Sequence, residues 1–251
     1  MTQIHWATST KEAFLLNHTV NIWKIDYSTF SGEEETGIQI LNTQEQIRAQ
    51  KFHFQTDRKR FRVTRALLKI ILSQITGKNP ADITFSYNQH GKPYLEDNLN
   101  INFNVSHSGN TGLIAISDLG PLGTDVEKYR NRIDTDKMAR RFFSEQEQEA
   151  FLKIADRQKL QGFFYGWTRK EALIKALGLG LAMPLKSFDV TLTPGQPARL
   201  LDIRHKDEQA RDWTIKDIHL AGEYAAAFAV KAKDFNYNFW SPSGLIQFNS
   251  Y

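Results

Sequence analysis

The sequence predicts an α+β protein of one large or two small domains, and an internal echo suggests two similar lobes. A helix–strand–strand–strand order closes on TGLIAIS (111–117) in the first half and recurs in the second, closing on EYAAAFAV (223–230). No linker rich in Gly, Ser or Pro divides the chain, and its 251 residues, 41% hydrophobic and 12% aromatic, supply ample core. The division is expected near residue 120, giving lobes of residues 1–120 and 121–251.

VNIWKIDY (20–27) alternates apolar and polar side chains, as a half-buried strand does. Thr43 with Gln46 has the spacing of a capping box and opens a short helix to about Phe54. A longer helix from about Thr56 to Ile75 buries Val63, Ala66, Leu67, Ile70, Ile71 and Ile75, and Gly77 and Pro80 stop it. These helices carry Arg48, Lys51, Arg58, Lys59, Arg60, Arg62 and Arg65, which read as a solvated face with one or two open to phosphate contact.

ITFSYN (83–88) and PYL (93–95) flank a chain reversal marked by Gly91 and Pro93. INFNVSHS (101–108) and TGLIAIS form a hairpin about Gly109-Asn110. On the first strand Phe103, Val105 and His107 share one face, and Asn104, Ser106 and Ser108 the other. In PLGTDVEKY (121–129), Leu122, Thr124 and Val126 face one way, Asp125 and Glu127 the other. A helix at 133–143 precedes a second capping box, Ser144 with Glu147, whose helix runs to about Asp156. FFYGWTRKEALIKALGLGL (163–181) is helical until Gly178 caps it. SFDVTL, DWTIKDIHL and EYAAAFAV are strand-like, and the aromatic tail Phe235–Trp240 is expected to pack on the surface.

A net charge of +4 suits an anionic ligand or acidic partner and is too small to imply nucleic acid. The absence of cysteine excludes disulfides and thiolate metal sites. MTQIHWATST lacks the basic and apolar regions of a signal peptide, and no apolar run approaches the roughly 18 residues of a membrane span. A cytoplasmic protein without membrane or nucleic-acid partners is expected.

The helix at 163–181 carries the first chemical signal. At about 100° per residue, Leu160, Phe163, Phe164, Trp167 and Ile174 fall on one apolar stripe with Glu171 in its middle and Lys170 and Lys175 at its margins. A core-facing carboxylate is costly unless a cation or metal compensates it. The alternative is a surface helix with a Glu171–Lys175 pair at i, i+4, worth about 0.2–0.5 kcal/mol; it leaves Trp167 on the same face unexplained.

Asp125-Val-Glu127 sets two carboxylates on one strand face with Cα atoms about 6.6 Å apart. From that spacing oxygens converge on a hard cation such as Mg²⁺, although solvated strands carry such pairs too. Three carboxylates with flanking lysines would suit a polyphosphate, with Mg²⁺ and ammonium groups neutralising it. Ser106 and His107 do not make a nucleophile–base pair, because strand neighbours point to opposite faces, and no G-x-S-x-G elbow is present. His107 is a satisfied core histidine or a phosphate ligand.

GKP (91–93), FNVSHS (103–108), GTDVE (123–127) and WTRKEALIKALGLGL (167–181), in that order, closely resemble the 4′-phosphopantetheinyl transferases. The length resembles their double-length, surfactin-type group, and the resemblance runs from about Arg48 to Leu185. It implies a pseudo-dimer of two α+β lobes with the site at their junction. The implied reaction transfers the phosphopantetheine arm of coenzyme A to a serine of an acyl or peptidyl carrier protein, releasing 3′,5′-ADP, on a monomer with Mg²⁺ as cofactor.

Carried over by position, Asp125, Glu127 and Glu171 would hold Mg²⁺. Lys170 and Lys175 would neutralise phosphate oxygens, with Lys175 or a water covering the leaving group. Ser106 and His107 would contact the coenzyme A phosphates. Gly91, Lys92 and Pro93 would border the adenosine end, with Lys92 and Arg48 at the 3′-phosphate. Glu171, Glu127 or a metal-bound water would take the serine proton, Glu171 being preferred. Thr124 stands where an aliphatic residue is more usual, and Glu45 where some relatives have a lysine. Two other readings remain: a metal-dependent phosphohydrolase of a coenzyme A-like substrate, and a basic binding module docking through residues 48–65 without chemistry.

Overall fold

A computed structural model of the chain describes residues 4–30, 39–97, 100–243 and 245. Strands β1 (Ala7–Thr8) and β2 (Thr19–Asp26) precede helices α1 (Thr43–Gln50) and α2 (Gln55–Thr76). Strands β3 (Phe85–Tyr87), β4 (Pro93–Leu95), β5 (Asn102–Ser108) and β6 (Thr111–Ser117) complete the first half. The second half runs β7 (Leu122–Lys128), α3 (Thr135–Phe142), α4 (Glu145–Leu152), α5 (Asp156–Leu177), β8 (Phe188–Val190), β9 (Leu200–Ile203), β10 (Thr214–Asp217) and β11 (Tyr224–Val230). A last strand, β12 (Asn236–Ser241), follows.

The halves repeat one plan, as the α+β pseudo-dimer expectation requires. Strands β5, β6 and β2 are neighbours in the first sheet, and β10, β11 and β7 form the second in the corresponding order. Each sheet is covered by a helix of 22 residues, α2 or α5. Helix α2 buries Leu67, Leu68, Ile71 and Leu72 against Trp23, Ile25, Ile114 and Ile116. Helix α5 buries Ala172, Leu173 and Ala176 against Ile215, Ala227 and Ala229. The remaining sheet faces meet each other: Val20, Ile22, Leu113 and Ala115 pack with Leu122, Val126, Ala226 and Phe228. The layers are therefore helix, sheet, sheet, helix. Strands covered on both faces must be apolar without alternation, which is why TGLIAIS and YAAAFAV are continuous runs.

Several boundaries differ from expectation. The first capping box lies one residue earlier, with Asn42 as cap and Glu45 reciprocating, and α1 ends at Gln50. The Ser144–Glu147 box is formed, but α4 stops at Leu152 and α5 begins at Asp156. Gly77 and Gly178 end α2 and α5 in the left-handed conformation, at φ 74° and 69°. The aromatic tail lies at the surface as expected for most of its length, Tyr237 being exposed, but it does so as a strand: β12 inserts between β1 and β2, parallel to both. Trp240 is buried there, its Nε1 donating to Asn21 Oδ1 at 2.8 Å. The expected division at residue 120 falls in the β6–β7 connection, and β12 crosses back over it to the first sheet. Among the described residues no helix is long and apolar enough to cross a membrane.

Candidate active site

Strand β7 lies directly on α5 because residue 123 is glycine. A Cβ there would sit 2.1 Å from the Ala172 carbonyl oxygen and 2.3 Å from the Ala176 nitrogen. Only a residue without a side chain lets the two backbones approach so closely. Two and four residues on, the same strand face presents Asp125 and Glu127. Helix α5 answers with Lys175, whose Nζ donates to Asp125 Oδ1 at 2.6 Å and to Ser106 Oγ at 2.9 Å. Asp125 is buried, and its Oδ2 has no hydrogen-bond partner among the described residues.

Helix α5 is buried over most of its circumference, Gly162 to Gly166, Thr168 to Lys170 and Ala172 to Ile174 included. Trp167, Glu171 and Lys175, at i, i+4 and i+8, form a half-buried strip. Glu171 thus sits on the strip left open, and not within an apolar stripe. The surface-pair alternative is not made either, since Lys175 pairs with Asp125.

Burial first, and then the Asp125 charge, pushes the Glu171 carboxyl above its ordinary range; Lys175 opposes the rise and Glu127 adds to it. Glu127 is raised by burial too, with the Ser108 hydrogen bond opposing and Asp125 adding. Lys175 pairs with Asp125 and the exposed Arg130 reaches Glu127 at 3.6 Å, while no ion pair is formed by Glu171 among the described residues, an arrangement that favours an added cation. Among the described residues no group of three His, Cys, Asp or Glu side chains is arranged to hold a metal as it stands. The fit to a divalent cation rests on the unpartnered Asp125 oxygen and on the mutual repulsion of the three carboxylates.

Strand β5 borders the carboxylates through its polar face. Asn104 Oδ1, Ser106 Oγ and Ser108 Oγ accept from the backbone N–H groups of Thr124, Val126 and Lys128 at 3.0, 3.2 and 3.1 Å. The Ser106 hydroxyl donates to Asp125 Oδ1 at 3.0 Å and the Ser108 hydroxyl to Glu127 Oε2 at 2.8 Å. Ser106 therefore touches the carboxylate it was expected to accompany at a phosphate.

A cleft of about 610 Å³ opens beside Glu171 and Lys175. His90, Gly91, Lys92 and Pro93 from the β3–β4 reversal line one part, and Arg141, Phe142 and Lys186 another. Gly91 and Pro93 thus line the cleft that Glu171 and Lys175 border. Lys92 has a different use: its Nζ donates to the carbonyls of Leu122 at 3.0 Å and Ala176 at 2.7 Å. With Asn88 Nδ2 on the Gly178 carbonyl at 2.9 Å, it caps the C-terminus of α5. Burial pushes the Lys92 ammonium down to about 8. Lys92 therefore lines the cleft with its ammonium engaged at a helix end of the other lobe, and not pointing at a free phosphate position.

Lys170 is also engaged within the protein. It is fully buried, its Nζ donating to both Glu147 carboxylate oxygens and to the Phe188 carbonyl, each at 2.6 Å. One residue before Glu171, it is turned about 100° around the helix, away from the strip that faces the cleft. Arg48 is exposed on α1, its guanidinium 5.6 Å and 5.4 Å from the ring centroids of Phe61 and Tyr87. His107 is exposed on the face opposite Ser106. Partial desolvation, then the charges of Arg60 and Lys175, hold its imidazole below the ordinary histidine value. It stands between the basic start of α2 and the carboxylates. Glu45 is buried and pairs with Lys69 at 3.1 Å and Arg65 at 3.6 Å. Asn104 and Ser108 were not expected at the site; the period-two polar face of FNVSHS was the signal. Arg141, Phe142 and Lys186 reach the cleft through tertiary packing alone.

A family model of the 4′-phosphopantetheinyl transferase superfamily matches residues 121–229. A second, the N-terminal model of 4′-phosphopantetheinyl transferase, matches residues 26–118. The chain is 32% identical to the 4′-phosphopantetheinyl transferase HetI of Nostoc sp., over 96% of this chain and 99% of that one. It is 31% identical to the 4′-phosphopantetheinyl transferase Sfp of Bacillus subtilis, over 64% of this chain and 70% of that one. The crystal structure of the holo-acyl-carrier-protein synthase of Thermotoga maritima aligns at 25% identity with a TM-score of 0.35, covering 45% of this chain and 64% of that one.

Proposed function

The chain belongs to the 4′-phosphopantetheinyl transferase family, and on that premise we propose that it moves the phosphopantetheine arm of coenzyme A onto a serine of an acyl or peptidyl carrier protein, releasing 3′,5′-ADP. The observation that supports this reading is the buried Asp125, tied to Lys175 and Ser106 by one oxygen and unpartnered at the other. Asp125, Glu127 and Glu171 would hold Mg²⁺, which when bound supplies the charge that offsets the pyrophosphate.

The serine oxygen attacks the phosphorus bearing pantetheine, and the bond from that phosphorus to the bridging oxygen breaks. The leaving oxygen stays with 3′,5′-ADP. Lys175 neutralises charge on the departing phosphate. A carboxylate held tightly by Mg²⁺ is a poor base, so the glutamate that ligates less tightly takes the serine proton, and Glu171 is assigned that role. Glu127, held by Ser108, is the weaker choice for base. Gly91 and Pro93 border the adenosine end, and Arg48 and His107 serve the phosphates. The nucleophile belongs to the partner, so this chain needs no serine triad. The enzyme works as a cytoplasmic monomer in this reading.

The test is the intact mass of apo carrier proteins from fatty-acid, polyketide and peptide synthases after incubation with the enzyme, coenzyme A and Mg²⁺. A mass gain of one phosphopantetheine group on at least one carrier is expected. No gain on any carrier refutes the proposal, and coenzyme A cleavage without a carrier would favour a phosphohydrolase.

A further inference from the structure

We infer that Ser108, with Ser106 and Asn104, forms a side-chain zipper that sets the register of the two lobes and, through the same hydroxyls, orients the carboxylates of β7. The inference rests on the proposed role of Asp125 and Glu127 as metal ligands.

Strands β5 and β7 are each at the edge of their own sheet. An edge strand leaves a row of N–H groups without ladder partners, and buried ones must be satisfied elsewhere. Here the row is Thr124, Val126 and Lys128, and the partners are side chains at 104, 106 and 108. The spacing is i, i+2, i+4 on both strands. A slip of one residue would turn these side chains to the opposite face, and a slip of two would leave one amide unpaired.

A serine hydroxyl has one proton and two lone pairs. Ser106 takes the Val126 N–H on a lone pair and gives its proton to Asp125; Ser108 takes the Lys128 N–H and gives its proton to Glu127. Each serine thus ties a carboxylate to the backbone amide one residue beyond it. At the third position the residue before Thr124 is Gly123, with no side chain to orient, and the partner is an asparagine acting as acceptor. Each carboxylate is steered by one oxygen, Asp125 Oδ1 or Glu127 Oε2, while Asp125 Oδ2 is left free for a cation. Ser106 is shared with Lys175, so Ser108 is the cleaner probe. Lobe register and metal affinity are then one property, and whatever loosens β5 from β7 weakens the metal.

The experiment uses the full chain and the variants Ser108→Ala and Ser108→Thr, with Mn²⁺ as a spectroscopic probe. Amide exchange at Lys128 is followed by NMR, and Mn²⁺ affinity by paramagnetic resonance. Ser108→Ala should speed exchange at Lys128 while Ile114 in the core stays protected, and should weaken Mn²⁺ by about 10- to 100-fold, the usual loss when a residue supporting a metal ligand is removed. Ser108→Thr, which keeps the hydroxyl, should restore both. If the alanine variant does not fold, Ser108→Cys, a similar side chain with a much weaker donor, should show the same two losses. Unchanged exchange at Lys128 overturns the zipper. Faster exchange with parental Mn²⁺ affinity overturns the positioning role. A parent chain that binds no Mn²⁺ instead overturns the metal assignment of the proposed function, and the exchange measurement then still decides the register.

Discussion

Gly123→Ala is a small substitution with a large expected effect. Its methyl would meet the Ala172 carbonyl oxygen at 2.1 Å and the Ala176 nitrogen at 2.3 Å, where ordinary contact begins at 3.4 Å. Both atoms belong to a helix backbone and cannot turn aside, so β7 and α5 must separate by about 1 Å. Overpacking of this kind costs about 1–3 kcal/mol. The separation also stretches the 2.6 Å contact between Lys175 and Asp125, beyond the ordinary hydrogen-bond limit of about 3.2 Å. With a total near the top of that range, about 3 kcal/mol, a chain of this size melts about 6–12 °C lower. Misplacing reacting groups by about 1 Å lowers turnover by about 100-fold. The assay is carrier loading by intact mass, at a temperature where circular dichroism shows the variant folded. Transfer within about threefold of the parent, with melting within about 2 °C, would refute the claim that this close approach sets the site.

Glu171→Gln should separate stability from activity. Burial and Asp125 raise the folded pKa of this carboxyl, so its ionised form opposes folding above the ordinary glutamate value. The glutamine variant should therefore melt as high as the parent or higher at neutral pH, the gain growing as pH rises through the titration and vanishing below about pH 4. Its transfer rate should fall by about 100-fold or more; a lower melting point with near-parental transfer contradicts the assignment. Lys170→Met leaves Glu147 buried without its cation and should destabilise the fold by about 3–5 kcal/mol, read by denaturant unfolding; unchanged stability with slow transfer would return Lys170 to the phosphates. Lys92→Met removes two hydrogen bonds to carbonyls and should lower stability by about 1–3 kcal/mol while weakening coenzyme A and dephospho-coenzyme A equally in calorimetry. Arg48→Ala should weaken coenzyme A by about 10- to 150-fold more than dephospho-coenzyme A, the value of one charge-assisted hydrogen bond; equal weakening removes Arg48 from the 3′-phosphate.

Local chemistry was legible wherever the chain's own spacing determines it. The Ser144–Glu147 box, the Gly77 and Gly178 caps and the 109–110 hairpin depend on neighbours in sequence, and each is formed. The two-lobe plan was legible because each half must bury the same kind of sheet under a long helix. At the site, the period-two strand pattern separated Asp125 and Glu127 from Leu122 and Val126, as found. The contacts of Lys170 and Lys92 were not legible, because a lysine beside a motif looks the same whether its ammonium meets phosphate, a buried Glu147 or helix-end carbonyls. The partner that decides lies 23 residues away for Lys170 and 84 away for Lys92. The tail's pairing was not legible for a similar reason: β12 is a strand only because β2 lies beside it, more than 200 residues earlier.

The central claim is that one site both takes phosphopantetheine from coenzyme A and delivers it to a carrier, with Asp125, Glu127 and Glu171 holding the metal that the transfer needs. It is tested most directly by counting 3′,5′-ADP released against carrier serines modified, with Mg²⁺ present and after its removal by a chelator. One nucleotide per modified carrier, with both products abolished by chelation and restored by added Mg²⁺, is the predicted result. Nucleotide release without carrier modification, or full carrier modification in the presence of chelator, would contradict it.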